Sequence, residues 1–437
     1  VSATDLVALV CCDLGAIVRG RAVLASELGG HLDAGVGWVP ANHSLTPLGG
    51  LAESTPFDSI GDLRLLPDPD THVRVEAGAR GSALEFVLCD IVETDGRPWA
   101  CCPRRFLREA LAQLESELGA RLLASFEHEF QLRIDAPPAA PFSLAAQRGV
   151  DPFAVEVMGA LIEAGAQPER FFAEFAPHQF EIPVEAAAGV GAADRSVVLK
   201  EVVREVARRC ELRASFAPLL DPAAPGNGAH IHFNLLDAGG GSLLYDAARP
   251  ACLSELGGSF AAGILRHAGA LSALSAPSPA SAARLTPHRW SAGAACLGAA
   301  NRETLLRIPT LVSLGGGELA PQLHLEYRAA DATANPYLVL GAIVRAGLEG
   351  VRASLPTPPI LDRDPARLDP AEAERHGVGA LPGSLEDALR ALAEDDTVRG
   401  WMAPTLYDAY VGVKRAELAA VAGLDVGEVC RRYAAIY

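Results

Sequence analysis

The 437-residue chain has no run of about 18 uncharged apolar residues, so a membrane-spanning helix is not expected. Its first residues, Val1 to Val10, lack the basic flank that opens a secretory signal. No Cys-x-x-Cys pair occurs among the nine cysteines, which argues against a cysteine zinc site. The adjacent pairs Cys11-Cys12 and Cys101-Cys102 cannot readily bridge themselves, so reduced thiols in a cytoplasmic protein are expected. Positive charge is scarce: 37 Lys and Arg against 54 Asp and Glu leave a net charge of −17, without the basic footprint of a nucleic-acid binder. There is no Walker A motif and no Gly-x-Gly-x-x-Gly opening a helix; Gly315-Gly316-Gly317 lacks the Lys-Ser/Thr ending and reads as a loop. Internal repeats and low-complexity tracts are also missing. What remains is 50% hydrophobic and 21% charged, the balance of a globular chain of two or three domains.

Residues 5–26 alternate weakly about Asp13, Gly15 and Gly20 and predict a hairpin. Residues 36–80 read as loop-rich, Phe86–Asp90 as a strand, and Asp95-Gly96 as the turn of a second hairpin. Pro103 opens a helix with apolar positions at Phe106, Leu107, Leu111 and Leu114. These signals divide the chain into a small β-rich domain, 1–102, and a larger one, 103–437. Further helices are expected at 152–165, 194–209, 335–353, 384–394 and 410–421, and a loop from Pro356 to Pro370.

The chemistry is concentrated in strands whose polar residues stand two apart. Side chains alternate along a strand, so Glu127 and Glu129 in Ser125-Phe126-Glu127-His128-Glu129-Phe130 share a face. His230 and His232 do so in Ala229-His230-Ile231-His232-Phe233, and Glu326 and Arg328 in Leu325-Glu326-Tyr327-Arg328. Glu174 and Glu181 flank a turn between two strand-like ends. One such pair is an ordinary solvated strand face. Several converging on one sheet would repel unless cations neutralised them, and hard divalent ions such as Mg²⁺ or Mn²⁺ suit this oxygen-rich set. Arg284, Arg302, Arg307 and Arg328 lie outside evident amphipathic helices, and guanidinium forks suit carboxylate and phosphate. Carboxylates with metals beside arginines suggest a nucleotide-triphosphate site.

This pattern resembles the glutamine synthetase family, type I-like, over nearly the whole chain. Gly226-Asn227-Gly228-Ala229-His230-Ile231-His232, Asn301-Arg302-Glu303-Thr304-Leu305-Leu306-Arg307-Ile308-Pro309 and Glu326-Tyr327-Arg328 through Asp331 to Asn335-Pro336-Tyr337 are similar to three of its ordered motifs. The resemblance implies an α+β fold: an N-terminal β-grasp domain and a large catalytic domain with a curved antiparallel sheet. It implies ATP and Mg²⁺ or Mn²⁺, with Glu129, Glu174 and Glu181 holding one metal and Glu127, His230 and Glu326 the other. His232, Arg307 and His324 would contact nucleotide, Arg284 and Gly226 a glutamate substrate, and Arg302, Arg307 and Arg328 the transferred phosphoryl group. It also implies a homo-oligomeric ring, a dodecamer of two hexamers.

Four departures bear on the nucleophile and nucleotide. Trp290 stands where the family carries a flap glutamate, six residues after Arg284, that deprotonates bound ammonium. The stretch Gly37 to Ser44 lacks the aspartate of the ammonium-using members. Pro225 precedes the Gly-x-Gly run, and His324 replaces an arginine. Loss of two carboxylates weakens an ammonium site, and an indole wall suits a larger amine. The chain therefore resembles the gamma-glutamylamide and gamma-glutamylpolyamine synthetase branch, forming an amide from glutamate and an organic amine. His43, His178 and His288 are candidates for the base. An ordinary ammonia-dependent synthetase and a non-catalytic structural relative are the alternatives. Residues 385–400 contain no tyrosine, so adenylylation there is not expected.

Overall fold

A computed structural model describes residues 5–77 and 81–437. The first four residues of the Val1–Val10 segment and the last three of the 36–80 stretch lie outside the described residues. The described residues form two sheets, of six and ten strands, with helices packed on them.

The smaller sheet begins with the expected hairpin, Leu6–Cys12 and Val18–Leu24. Asp13 shapes its turn: Oδ1 accepts from the Gly15 and Ile17 N–H groups at 2.9 Å each. Gly20 is required for space, because a Cβ there would sit 2.0 Å from the Leu9 carbonyl oxygen. Leu6–Cys12 runs parallel to Leu84–Glu93, which also pairs with two shorter strands, Leu63–Pro67 and Val73–Val75. Residues 36–75 are thus less loop-like than expected. They hold three strands too short to give a period-two signal, Val36–Trp38 being the third.

The larger sheet is built about Arg121–Arg133, whose burial alternates along its length. Leu122, Ala124, Phe126, His128 and Phe130 face the core, leaving Glu127 and Glu129 on the opposite side. The strands that flank it, Ala229–Leu236 and Gln179–Ile182, are antiparallel to it. Leu325–Tyr327 and Thr304–Ile308 continue the antiparallel order, and parallel pairing enters only at the edge, between Thr304–Ile308, Ala294–Ala299 and Ile360–Leu361.

The expected helices are found as Pro103–Leu118, Phe153–Glu163, Gly191–Arg209, Pro336–Arg352, Leu385–Glu394 and Pro404–Ala420. Glu255–Arg266, Ala268–Ser275 and Val426–Ala434 were not expected. The first two are rich in Gly, Ala and Ser, which blurs the apolar stripe. Close packing explains that composition: a Cβ on Gly263 would lie 2.1 Å from the Ala346 carbonyl oxygen of Pro336–Arg352.

Arg104, 3% exposed, ties the small sheet to the helix Gly191–Arg209. It donates to Asp194 in two bonds at 2.9 and 3.1 Å, to Asp90 at 3.1 Å and to Asp68 at 3.0 Å. Asp68 and Asp90 belong to the small sheet and its turn, while Asp194 also accepts the Tyr337 hydroxyl at 2.6 Å. Removing one partner of such a buried cluster leaves uncompensated charge. Arg104→Ala is therefore expected to lower stability by about 3–5 kcal/mol in denaturant unfolding. A loss below about 1 kcal/mol, the range of surface pairs, would show that the clamp contributes little.

Candidate active site

Strand register places the polar pairs opposite one another. Glu127 faces His230, Glu129 faces Glu181, His232 faces Glu326, and Glu326 in turn faces Arg307. Directly opposed residues on one face are nearest neighbours, so five strands deliver one continuous polar row. Glu174 reaches the row from the turn after Phe172–Ala173, where its N–H donates to the Gln179 carbonyl at 2.8 Å. The row floors a cavity of about 910 Å³ that is also lined by Arg284, Arg302, Arg307, Arg328, Gly226 and Trp290.

Its electrostatics are those of a site built for cations. Burial and the negative charges of Glu129 and Glu127 push Glu174 up to about 8. Burial and four neighbouring carboxylates raise Glu181 well above its usual range. Burial also opposes ionisation of Glu127, but the imidazoles of His230 and His232 outweigh it and hold the carboxyl well below its usual range. At Glu326 burial is outweighed by Arg328, His232 and His230, which bring it down to about 2. His230 Nδ1 lies 3.0 Å from Glu127 and 3.8 Å from Glu326.

Of the two expected metal sets, Glu127 and Glu326 do converge, and His232 completes a group whose ligand atoms all lie within 4.8 Å of one another. His230 was expected in that place and His232 at nucleotide; both imidazoles abut Glu127. The buried His232 Nε2 has only the long 3.4 Å contact to Glu127 Oε2, short of a well-formed hydrogen bond. Among the described residues, Glu129, Glu174 and Glu181 do not close to the same spacing. Glu129 is turned instead toward the Gln179 side-chain amide at 2.9 Å and the Gly228 N–H at 3.0 Å. Oxygen-rich donors, mutual repulsion and an imidazole nitrogen converging with two carboxylates fit a hard divalent cation.

Two of the arginines already meet a carboxylate, Arg307 donating to Glu326 at 2.7 Å and Arg328 to the same group. Arg284 is buried and donates only to the Ala329 and Ala330 carbonyls, at 2.7 and 2.8 Å, with Nε unpartnered. Burial lowers its affinity for a proton. Burial does the same at Arg302, with Arg307 and Arg328 adding repulsion. Arg328 donates to Glu326, to the Arg302 carbonyl at 3.1 Å and to the Trp290 carbonyl at 2.8 Å. Gly226 has no room for a side chain: a Cβ would lie 2.0 Å from the Pro218 carbonyl oxygen and 3.0 Å from Arg284 Cγ. His324 stands behind the row, 5.1 Å from His232 between ring centroids.

The three candidate bases part company. His43 is 1% exposed, has neither ring nitrogen bonded and packs edge-on against Trp99; burial pushes it down to about 3. His178 turns away, its Nε2 on the Ala136 carbonyl at 2.9 Å. Only His288 lines the cavity. Sequence reasoning missed Phe142 and Phe175, which flank Trp290 there at 6.0 and 5.3 Å between centroids. Phe142 sits in a proline-bounded loop without periodicity, so no local pattern marks it.

Residues 100–426 match the glutamine synthetase catalytic domain and residues 1–99 the glutamine synthetase N-terminal domain. The chain belongs to the glutamine synthetase family. It is an ATP-dependent carbon–nitrogen ligase of glutamine synthetase type, a family that uses ATP and divalent metals. The chain is 34% identical to the gamma-glutamylpolyamine synthetase of Streptomyces coelicolor, over 98% of this chain and 92% of that one. It is 30% identical to the glutamine synthetase of Thermus thermophilus, covering 82% and 81% of the two. Among solved structures, one described as a novel glutamine synthase homolog superposes with a TM-score of 0.92 at 45% identity, over 100% of this chain and 99% of that one. A GmaS/ADP complex gives 0.80 at 25% identity, over 96% and 94%. No helix among the described residues is long and apolar enough to cross a membrane.

The carboxylate chemistry of this glutamine synthetase-type site can be read directly. A divalent cation must displace the proton held by Glu174, so affinity should rise as pH climbs through about 8. Calorimetric Mn²⁺ titrations at pH 7 in buffers of different ionisation enthalpy are expected to show proton release, and Glu174→Gln to reduce it. Binding without any buffer dependence would contradict a proton held on Glu174.

Proposed function

We propose that this protein joins glutamate to an organic amine, forming a gamma-glutamyl amide through a gamma-glutamyl phosphate. The observation that carries the reading is the aromatic wall at the cavity mouth. Trp290 is 53% exposed, Phe142 52% and Phe175 47%, and they touch one another. Three exposed rings in contact form an apolar patch of the sort that marks a binding site, where an ammonium pocket would need carboxylates. The name of the Streptomyces coelicolor relative favours the same branch, whereas Thermus thermophilus carries an ordinary synthetase at slightly lower identity.

In this reading Arg284 receives the alpha-carboxylate of glutamate beside the Gly226 backbone. The gamma-carboxylate attacks the terminal phosphorus of ATP, ADP leaves, and a good leaving group replaces a poor one on the acyl carbon. Arg302, Arg307 and Arg328 spread the charge on the transferring oxygens, with no reorganisation needed at the moment of transfer. His232 and His324 flank the nucleotide phosphates. Mg²⁺ or Mn²⁺ would be held by Glu129, Glu174 and Glu181 and by Glu127 and Glu326 with the adjoining His230 or His232, and would supply the remaining charge neutralisation. The amine then attacks the acyl carbon in a site held apart from water, and phosphate leaves. The division into domains 1–102 and 103–437, a ring of two hexamers, and a cytoplasmic setting suited to the nine unpaired cysteines belong to the same reading.

Phosphate release and product mass, measured with ATP, Mg²⁺ or Mn²⁺ and glutamate, test it across ammonium, methylamine, ethanolamine, putrescine, spermidine, aniline and aromatic ethylamines. Turnover is expected with an organic amine well above ammonium. Trp290→Ala should raise the amine KM about tenfold, the scale of one lost aromatic contact, leaving the ATP KM unchanged. Turnover with ammonium alone would restore the ordinary synthetase, and absence of metal-dependent ATP binding would favour a non-catalytic relative.

A further inference from the structure

With Trp290 at the flap position, the reaction still requires a group to deprotonate the incoming amine. The flap itself offers one. Its loop runs from Leu285 to Ser291 and is held at several points. Arg289 donates to the Ala224 and Pro222 carbonyls at 2.7 Å each, Ser291 Oγ donates to the Arg284 carbonyl at 2.7 Å, and Arg328 holds the Trp290 carbonyl. His288 and Trp290 adopt left-handed backbone conformations, φ 65° and 56°, which few residues other than glycine tolerate without cost. Such strain persists where surrounding contacts enforce it.

Those contacts aim the His288 ring. The His288 backbone N–H donates to Glu303 Oε2 at 3.0 Å, and the ring Nε2 lies 3.0 Å from Asp364 Oδ2. An ionised carboxylate only accepts, so Nε2 carries the proton and Nδ1 keeps its lone pair. Asp364 is fixed in turn by the Ala366 N–H at 3.0 Å and the Arg367 guanidinium at 3.2 Å. All three of His288, Asp364 and Glu303 line the cavity that holds Trp290. The imidazole is 64% exposed, open to a substrate entering past the rings.

We propose that His288, oriented by Asp364, is the general base of the ligation step. This rests on the amine-ligase reading above. The protonated amine gives one proton to Nδ1, and the imidazolium formed is stabilised by Asp364. The freed nitrogen pair bonds to the acyl carbon. The acyl carbon–oxygen bond breaks, and the second nitrogen proton leaves with phosphate. His288 is the catalytic residue and Asp364 a positioning residue. The charged groups around the imidazole are Asp364, which touches it, Arg367 on the far side of Asp364, Glu303 on the His288 backbone N–H, and Asp362 and Arg363, which line the same cavity. Arg289 is next in sequence but turned to backbone carbonyls.

The test compares two nucleophiles on the full chain with ATP, Mg²⁺ and glutamate: the best amine substrate, which arrives protonated, and hydroxylamine, which is already unprotonated at neutral pH. His288→Asn keeps a residue that tolerates the left-handed backbone. It should lower kcat for the protonated amine by about 10²–10⁴, the usual worth of a general base, with hydroxamate formation falling by less than about tenfold. The lost rate should return as pH rises toward the amine's own ionisation. Asp364→Asn, which retains the capping acceptor, should cut amine kcat and displace the acidic limb of its pH profile. Equal losses with both nucleophiles, or an unchanged amine kcat, would overturn the assignment. A wild-type enzyme that amidates with ammonium alone would sink the organic-amine reading yet leave the base testable with ammonium itself.

Discussion

Like charges placed opposite each other across a strand pair are the constraint on which this molecule turns. Glu129 faces Glu181 by register, and Glu174 and Glu127 stand close by, in a partly buried cleft. Such a row is unfavourable by itself. It holds its place because the inner faces of the same strands pack a core: Phe126, Phe130, Phe180, Ile182 and Ile231 are all nearly inaccessible. Folding energy gathered on one side of the sheet thus sustains a high density of negative charge on the other. Arginines with unpartnered nitrogens face that charge across the cavity. A substrate that is both anionic and metal-bound relieves both halves at once.

The small sheet takes part through its attachment. Asn335 caps Pro336–Arg352 with its side-chain oxygen, accepting from Tyr337 and Leu338, while its amide donates to the Cys12 and Asp13 carbonyls of the first hairpin. Arg104 adds a buried ionic tie. One end of the helix Pro336–Arg352 is therefore shared with the N-terminal sheet.

Much of this was legible in the sequence because strand alternation is local. Two glutamates or two histidines two residues apart can be assigned to a face without knowing the fold. Which strands are neighbours is not local: that Ala229–Leu236 lies between Arg121–Arg133 and Leu325–Tyr327 is set by packing, and only the ordered motifs of the family pointed to it. The same limit hid the environment of Trp290. Its ring partners come from positions 142 and 175, far apart in the chain, and Asp364, which aligns His288, lies in a stretch read simply as a loop. The helices Glu255–Arg266 and Ala268–Ser275 escaped for a different reason. Close helix contact selects small residues, and small residues carry little periodic signal.

Trp290 combines a tethered backbone with a free side chain. Its carbonyl is pinned by Arg328, and its neighbours Arg289 and Ser291 are pinned as well, yet the indole projects into the cavity mouth. Such a position behaves as a socket. The loop keeps its course for side chains that tolerate the left-handed backbone, because none of these anchors passes through the ring. Nucleophile preference can then drift by single codon changes while the phosphoryl-transfer apparatus stays still. One scaffold could diversify over many amines in this way without rebuilding the costly charged row beneath it.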